Sequence, residues 1–428
     1  MLRLYNTVLL PFRAGVALWV ACRPGNGRKR REWAERQARQ LPSIPPHGIW
    51  IHGASVGEAR IVHSVAESLR SRRPDLPIAV SAITPTGREQ LPSAPLSDAA
   101  FFVPLDFPGL TTRLLQALRP AALTLIETEL WPNLLHENHV SDVPVVVLNG
   151  RLSASRMARY RRLSRLYRPL VERIAVIGAQ TEADADRFRE LGAAREAVTV
   201  TGNVKYDLPR PTLDAEELRQ DLELSARRPI VVAGSTAPGE ESLVLDAFQA
   251  VRSAHGPSLL VLAPRHLSRV EEVLALTQSR GMRTQRYSAG RHSLADVDVL
   301  LVDTLGDLAA LYQLGWVAFV GGSLVSVGGH NLLEPAAVGV PVLYGPHVEN
   351  VAELAEVLER TGAGRRVDDS AGLGRELGRL LGDETERAEM SRRAVQVLEA
   401  NRGALERSVS LLLSVVDARA SRSSTGVG

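Results

Sequence analysis

The sequence predicts two doubly wound α/β domains joined by a polar linker. Three observations carry that prediction. Short apolar runs ending in small or polar residues alternate with amphipathic helical patterns along nearly the whole chain, which is the rhythm of repeated βαβ units. The rhythm pauses once, in the proline-bearing polar stretch KYDLPRPTLDAEELRQDLELSARRP that begins at Lys205. And 428 residues exceed one ordinary core, so the length favours two domains of about 200 residues each.

The elements follow in order. Residues 8–12 and 14–22 are apolar but interrupted by Pro11 and Arg13, and RKRR follows at 28–31. A bilayer core needs about 20 largely apolar residues, and an arginine in its middle is costly. The expectation over 1–25 is therefore a membrane anchor lying at the interface, with the basic residues behind it on the anionic cytoplasmic face. A secretory signal lacks a convincing small-x-small cleavage site, and a lipoprotein signal ending at Cys22 has bulky Trp19 in the way. A first helix of the soluble domain is the competing reading.

The first domain, 26–208, should hold strands at 48–53, 77–84, 99–106, 121–129, 143–150, 173–180 and 197–203. The boundary falls near Leu208, followed by one linker helix. The second domain, 209–418, repeats the rhythm with strands at 229–236, 258–266, 298–304, 316–323, 340–347 and 362–367, then helical sequence from 373 to 416. The last ten residues, 419–428, end in SRSSTGVG and are expected to be disordered.

Composition narrows the function. Apolar residues make up 45% and charged residues 23%, as in ordinary folded proteins. A single cysteine leaves no internal disulfide and no cysteine-based metal cluster. Net charge is only +3, but arginines cluster, eight of them within 151–173. Such runs suit anionic membrane or phosphorylated substrate, or are simply solvated helix faces; no aromatic interleaving or motif supports nucleic acid. Lys29 and Lys205 are the only lysines.

Ligands of open parallel sheets bind beyond the carboxyl ends of strands, and two facing sheets would make a cleft of those ends. Nearly every unusual polar motif falls there. In GGSLVSVGGHNLLEPAAVGVPVLYGPH, residues 321–347, glycines allow close approach to an anion, a helix beginning near Asn331 would aim N–H groups at it, and Glu334 could accept from sugar hydroxyls. This pattern points to a nucleotide-sugar site. Gly234 and Ser235, Pro264 and Arg265, and Leu305, Gly306 and Asp307 end three further strands of the same half, with Arg265 suited to clamp a phosphate.

In the first half, Ser55 and Glu58 have capping-box spacing, so Glu58 serves either as a cap or as a base held ionised by the helix dipole. Glu127 and Glu129 end the fourth strand ahead of Pro132, where the chain should leave the sheet between them; an acid merely preceding a helix suits Glu129 better. Lys205, in a chain that otherwise favours arginine, could act as a compact charge donor. Asp296 and Asp298 form a D-x-D at the amino end of a strand, the wrong end for a site. No H-E-x-x-H, Walker or nucleophile-elbow motif is present.

HGASVGE, TPTG, ETELWPN, NGRLS, TGNVKYD, APRH, DTLGDL, FVGGSL and GGHNLLEPA, in that order, resemble the 3-deoxy-D-manno-octulosonic acid (Kdo) transferases of lipopolysaccharide assembly, from about Ile49 to Ala404. The resemblance implies a GT-B glycosyltransferase that is inverting and independent of metal or other cofactor. Its donor would be CMP-Kdo and its acceptor a lipid A precursor (lipid IVA) at the cytoplasmic face of the inner membrane. It also implies roles: Glu58 as general base, Glu127 and Lys205 in transition-state stabilisation, and Pro264, Arg265, Leu305, Gly306, Asp307, Asn331, Leu332, Leu333 and Glu334 around CMP, with Gly234 and Ser235 beside them. LGDL stands where relatives often have MGEL, and NLLE where NPLE is common. The alternatives are another GT-B nucleotide-sugar transferase or epimerase, and a non-catalytic scaffold on anionic membrane.

Overall fold

A computed structural model describes residues 1–22, 27–207, 214–225, 227–290 and 293–425. It divides into two compact units, one of Met1–Asp207 with Arg402–Gly428 and one of Leu208–Asn401. The expected boundary residue Leu208, the first part of the linker, and residues 23–26, which hold the end of the expected anchor and the first residue of the expected first domain, lie outside the described residues.

The first unit contains β1 (Ile49–His52), β2 (Ile78–Ala82), β3 (Ala99–Phe102), β4 (Ala122–Ile126), β5 (Val145–Gly150), β6 (Val176–Ala179) and β7 (Val198–Val200). They form one parallel sheet in the order β3-β2-β1-β4-β5-β6-β7. Its strands read as continuous apolar runs because both faces are covered. The two-residue period sorts them: Trp50, Leu123 and Val145 enter one core, while Ile49, Ile51, Ala122 and Val146 enter the other.

The second unit contains β8 (Ile230–Thr236), β9 (Leu259–Pro264), β10 (Thr284–Arg286), β11 (Val299–Leu301), β12 (Val317–Val320), β13 (Val342–Tyr344) and β14 (Gly364–Arg366). Its parallel sheet runs β10-β11-β9-β8-β12-β13-β14. Here too Val231 and Ala233 face one core and Ile230 and Val232 the other. The strand β10 escapes sequence reading because it has three residues, Thr, Gln and Arg, at the sheet edge.

In both sheets the strand order reverses beside the first strand, between β1 and β4 and between β8 and β12. These are the switch points at which doubly wound sheets hold ligands.

Two expectations at the carboxyl terminus need correction. The helix Ala404–Thr425 packs with the first unit, where Val409, Leu412 and Val416 share a core with Ile49 and Ile51. Asp207 anchors its start, accepting from the backbone N–H groups of Gly403 (2.7 Å) and Leu405 (2.6 Å). The tail expected to be disordered from 419 is helical to Thr425, and residues 426–428 lie outside the described residues.

The amino-terminal helix Leu2–Cys22 carries Pro11 inside it. Among the described residues no helix is long and apolar enough to cross a membrane. Its first turns rest on the first unit: Leu2 and Tyr5 pack against the core, and the Tyr5 hydroxyl donates to Asp106 Oδ2 at 2.9 Å. Met1, Leu4, Val8, Leu10 and Phe12 remain exposed on it.

Candidate active site

At the switch point of the first sheet the loop after β1 turns into the helix Val56–Arg72, capped by Ser55. The capping box forms as its spacing predicts. Glu58 Oε2 accepts from the Ala54 N–H (2.7 Å), Oε1 accepts from the Ser55 hydroxyl (3.0 Å), and the Glu58 N–H donates to Ser55 Oγ (3.4 Å). Burial pushes the Glu58 carboxyl above its ordinary value, against the pull of the Ala54 N–H, and the charge of Glu127 adds to the rise. Glu58 is thus both a cap and a carboxylate whose affinity for a proton is enhanced.

Across the switch point β4 ends at Ile126, and the next residue, Glu127, adopts φ +60°. A non-glycine residue in that region is uncommon and costs roughly 1 kcal/mol or more. The kink interrupts the two-residue alternation and turns the Glu127 carboxylate to Lys205, whose Nζ lies 2.7 Å from Oε1. Lys205 follows β7 in a single 3-10 turn, Val204–Tyr206, whose position is fixed from β5: the Val204 N–H donates to Asn149 Oδ1 at 2.9 Å. Asn149 itself has φ +55°. Its role was missed in the sequence, although an Asn-Gly pair ending a strand is a signal for this conformation.

Glu129 joins the group. Its Oε2 accepts from Trp131 Nε1 at 2.9 Å, and burial, reinforced by the Glu58 charge, pushes its carboxyl up to about 7. Pro132 takes the first position of the helix Pro132–Val140, as its place after Trp131 predicts. The first unit therefore gathers three carboxyls and one ammonium where β1, β4 and β7 end.

In the second unit the predicted donor residues all lie at the carboxyl edge, on β8, β9, β11 and β12, which are neighbours. Gly234 has no space for a side chain, since a Cβ would lie 1.9 Å from the Tyr312 hydroxyl. Ser235 has φ +57°. Pro264 is buried at the end of β9, whereas Arg265 is exposed and pairs with no carboxylate among the described residues; its N–H donates to the Thr236 carbonyl at 2.9 Å. Leu305 is 78% exposed and Gly306 has φ +96° in the turn that leads to Asp307, which precedes the short helix Leu308–Leu311.

The glycine-rich loop differs from expectation in two ways. Its helix begins at Leu333, two residues late, because the Asn331 side chain takes the Leu333 N–H (3.1 Å) and donates to Glu334 Oε1 (3.1 Å). Leu332 and Leu333 are buried, so their side chains belong to the core. More important, the amides beside Gly321 are already occupied. The buried Glu240 carboxylate accepts from Gly322 N (2.7 Å), Ser323 N (3.0 Å), Leu324 N (2.8 Å) and Ala237 N (3.0 Å). A protein carboxylate fills the cradle expected for a phosphate, and the Gly329 N–H (φ +79°) is likewise taken, by the Gly322 carbonyl at 2.8 Å, so that the exposed Arg265 is the clearer phosphate candidate of this half.

Glu240→Ala would orphan four N–H groups, and buried donors without acceptors cost about 1–3 kcal/mol each when nothing relaxes. The expected result is a loss of about 3 kcal/mol or more in denaturant unfolding. Unchanged stability would mean that the loop does not depend on this carboxylate.

Asp296 and Asp298 are structural. Asp298 accepts from Arg252 (2.8 Å) and Arg283 (3.2 Å), and Asp296 pairs with Arg283 (3.1 Å).

Two seven-stranded parallel sheets of this order, with polar side chains at their carboxyl edges, have the architecture of the GT-B fold. MurG of Acinetobacter baumannii shares the fold, with a TM-score of 0.54 at 13% identity over 86% of this chain and 100% of its own. The chain belongs to the 3-deoxy-D-manno-octulosonic acid transferase family. A family model described as 3-deoxy-D-manno-octulosonic-acid transferase (kdotransferase) matches residues 28–208. The 3-deoxy-D-manno-octulosonic acid transferase of Haemophilus influenzae is 36% identical over 375 residues, 86% of this chain and 87% of its own length. That of Bordetella pertussis is 34% identical over 387 residues, 88% and 89% respectively.

Proposed function

We propose that the protein transfers Kdo from CMP-Kdo to a hydroxyl of a lipid A precursor, with inversion and without a metal ion. The observation that carries the mechanism is the Glu58 carboxyl, made more basic by burial and set beside the Glu127–Lys205 pair at the switch point. Glu58 takes the proton of the acceptor hydroxyl, the oxygen attacks the anomeric carbon of Kdo, and CMP departs with the bonding electrons. Lys205, held by Glu127, offsets negative charge that builds in the transition state, and Arg265 meets the leaving phosphate.

The same reading puts the protein on the cytoplasmic face of the inner membrane, where such an acceptor is embedded. The exposed apolar side chains of the first helix, Leu4, Val8, Leu10 and Phe12, support interfacial attachment. The test is to incubate the purified protein with CMP-Kdo and a lipid A precursor in anionic vesicles and to follow acceptor mass and vesicle co-sedimentation. A gain of one Kdo unit or more is expected, in the vesicle-bound fraction. No gain, with CMP still raising the melting temperature, would send the acceptor elsewhere; no CMP effect would sink the donor. Protein that stays in the supernatant would remove the membrane part.

A further inference from the structure

A cavity of about 430 Å³ opens in the first unit beside the catalytic carboxyls. Its volume is that of a small-molecule site. Glu129 lines it, and the charge of Glu58 is felt at Glu129, so the cavity adjoins the proposed base. Its walls are aromatic: Trp131, held by its indole N–H to Glu129, and the edge-to-face pair Tyr160 and Tyr167, 4.5 Å between ring centroids. Arg156 and Arg159 line it from the helix Ala154–Arg162, and Tyr5 and Asp106 line it as well. The two arginines are three residues apart, hence on one helix face, and both are exposed. Among the described residues neither has a carboxylate within 4 Å, whereas Arg161 of the same helix is paired with Glu190 at 2.6 Å.

We propose that this cavity is the acceptor's headgroup subsite, in which Arg156 and Arg159 hold a phosphate monoester while Trp131 and the two tyrosines pack against the sugar ring that bears it. The assignment rests on the transfer reading above. Its chemistry is specific. A phosphate monoester brings nearly two negative charges and three acceptor oxygens, which two guanidinium forks meet with parallel hydrogen bonds, and the apolar faces of a pyranose suit aromatic walls. Two acids line the cavity: Asp106 is already engaged by the Tyr5 hydroxyl and by the Asn133 and Leu134 N–H groups, which offset its charge, and the Glu129 carboxyl, raised to about 7, carries only part of its charge at neutral pH. With the phosphate held, the sugar beside it is presented to the edge of the sheet where Glu58 stands. Neither arginine belongs to any of the strand-end motifs, so nothing in the motif pattern assigns them this work.

The experiment uses the full chain and one acceptor in two forms, with its phosphate and after phosphatase treatment. In the unaltered protein, removing the phosphate should raise the KM for acceptor about ten- to a hundredfold, the range for a charge-assisted contact, with kcat and the KM for CMP-Kdo little changed. Arg156→Ala/Arg159→Ala should raise the KM for the phosphorylated acceptor by a similar factor, and phosphate removal should then cost the variant nothing more. If phosphate removal costs the variant as much as the unaltered protein, or if the variant's KM does not move, the proposal falls. A second readout needs no turnover: saturation-transfer NMR with glucose 6-phosphate against glucose. Contact that needs both the phosphate and the two arginines supports the subsite even if no Kdo is transferred, in which case the transfer reading alone has failed. Transfer that proceeds equally well to both acceptor forms leaves that reading intact and removes the subsite.

Discussion

Glu58→Gln should lower kcat/KM for acceptor by roughly 10²- to 10⁴-fold, the usual contribution of a positioned general base, while melting temperature and CMP affinity stay unchanged. The separation is expected because the amide can keep the cap that the carboxylate makes. Its oxygen can still accept from the Ala54 N–H, and the Ser55 hydroxyl, which now donates to Glu58, can turn and accept from the amide N–H. Only the ability to take a proton is lost. The pH profile gives an independent sign. Burial first, and the Glu127 charge after it, hold the Glu58 carboxyl above the ordinary carboxylate range. In the proposed mechanism the active form is the deprotonated one, so kcat/KM in the unaltered protein should climb as pH rises through that elevated value, and the climb should vanish in the variant. Turnover retained in Glu58→Gln would return the residue to helix capping alone.

The second large effect is expected at Lys205. Lys205→Arg keeps the charge yet should cost about 10²- to 10³-fold in kcat, the scale of losing one electrostatic stabiliser, with little change in stability because the side chain is 41% exposed. The ammonium sits 2.7 Å from a Glu127 whose backbone is already in the left-handed region, and such a residue has little freedom to move. A guanidinium would bind that carboxylate as a planar fork and direct its remaining N–H groups along fixed lines. In the proposed mechanism the ammonium would instead turn its other protons toward charge that develops beyond Glu127. Full activity in Lys205→Arg would show that a positive charge of any shape is enough.

Much of this was legible in the sequence, for a definable reason. Parallel strands covered on both faces must be apolar throughout, so Ile49–His52, Ala122–Ile126 and Leu259–Pro264 stand out as short unbroken runs. Glu127 and Arg265 stand out because they immediately follow such runs, and Glu58 and Lys205 because they lie just beyond the ends of β1 and β7, at the edge where parallel sheets bind ligands. Residues whose meaning lies in their own neighbourhood were readable: the Ser55–Glu58 cap, and Pro132 opening a helix.

The two α/β units, the order of most strands along the chain, and the side chains that end at their carboxyl edges are all written in local pattern, because a two-residue or 3.6-residue apolar period records burial within a few residues. What those side chains meet came from the folded chain. It gave the Gly322–Leu324 amides to Glu240, more than eighty residues away in sequence, and it gave Ala404–Thr425 to the first core. It also let the left-handed turn at Glu127 join that carboxylate to Lys205. Local pattern encodes that a group is buried or exposed; which distant partner satisfies it depends on how the chain closes on itself, and no local period carries that information.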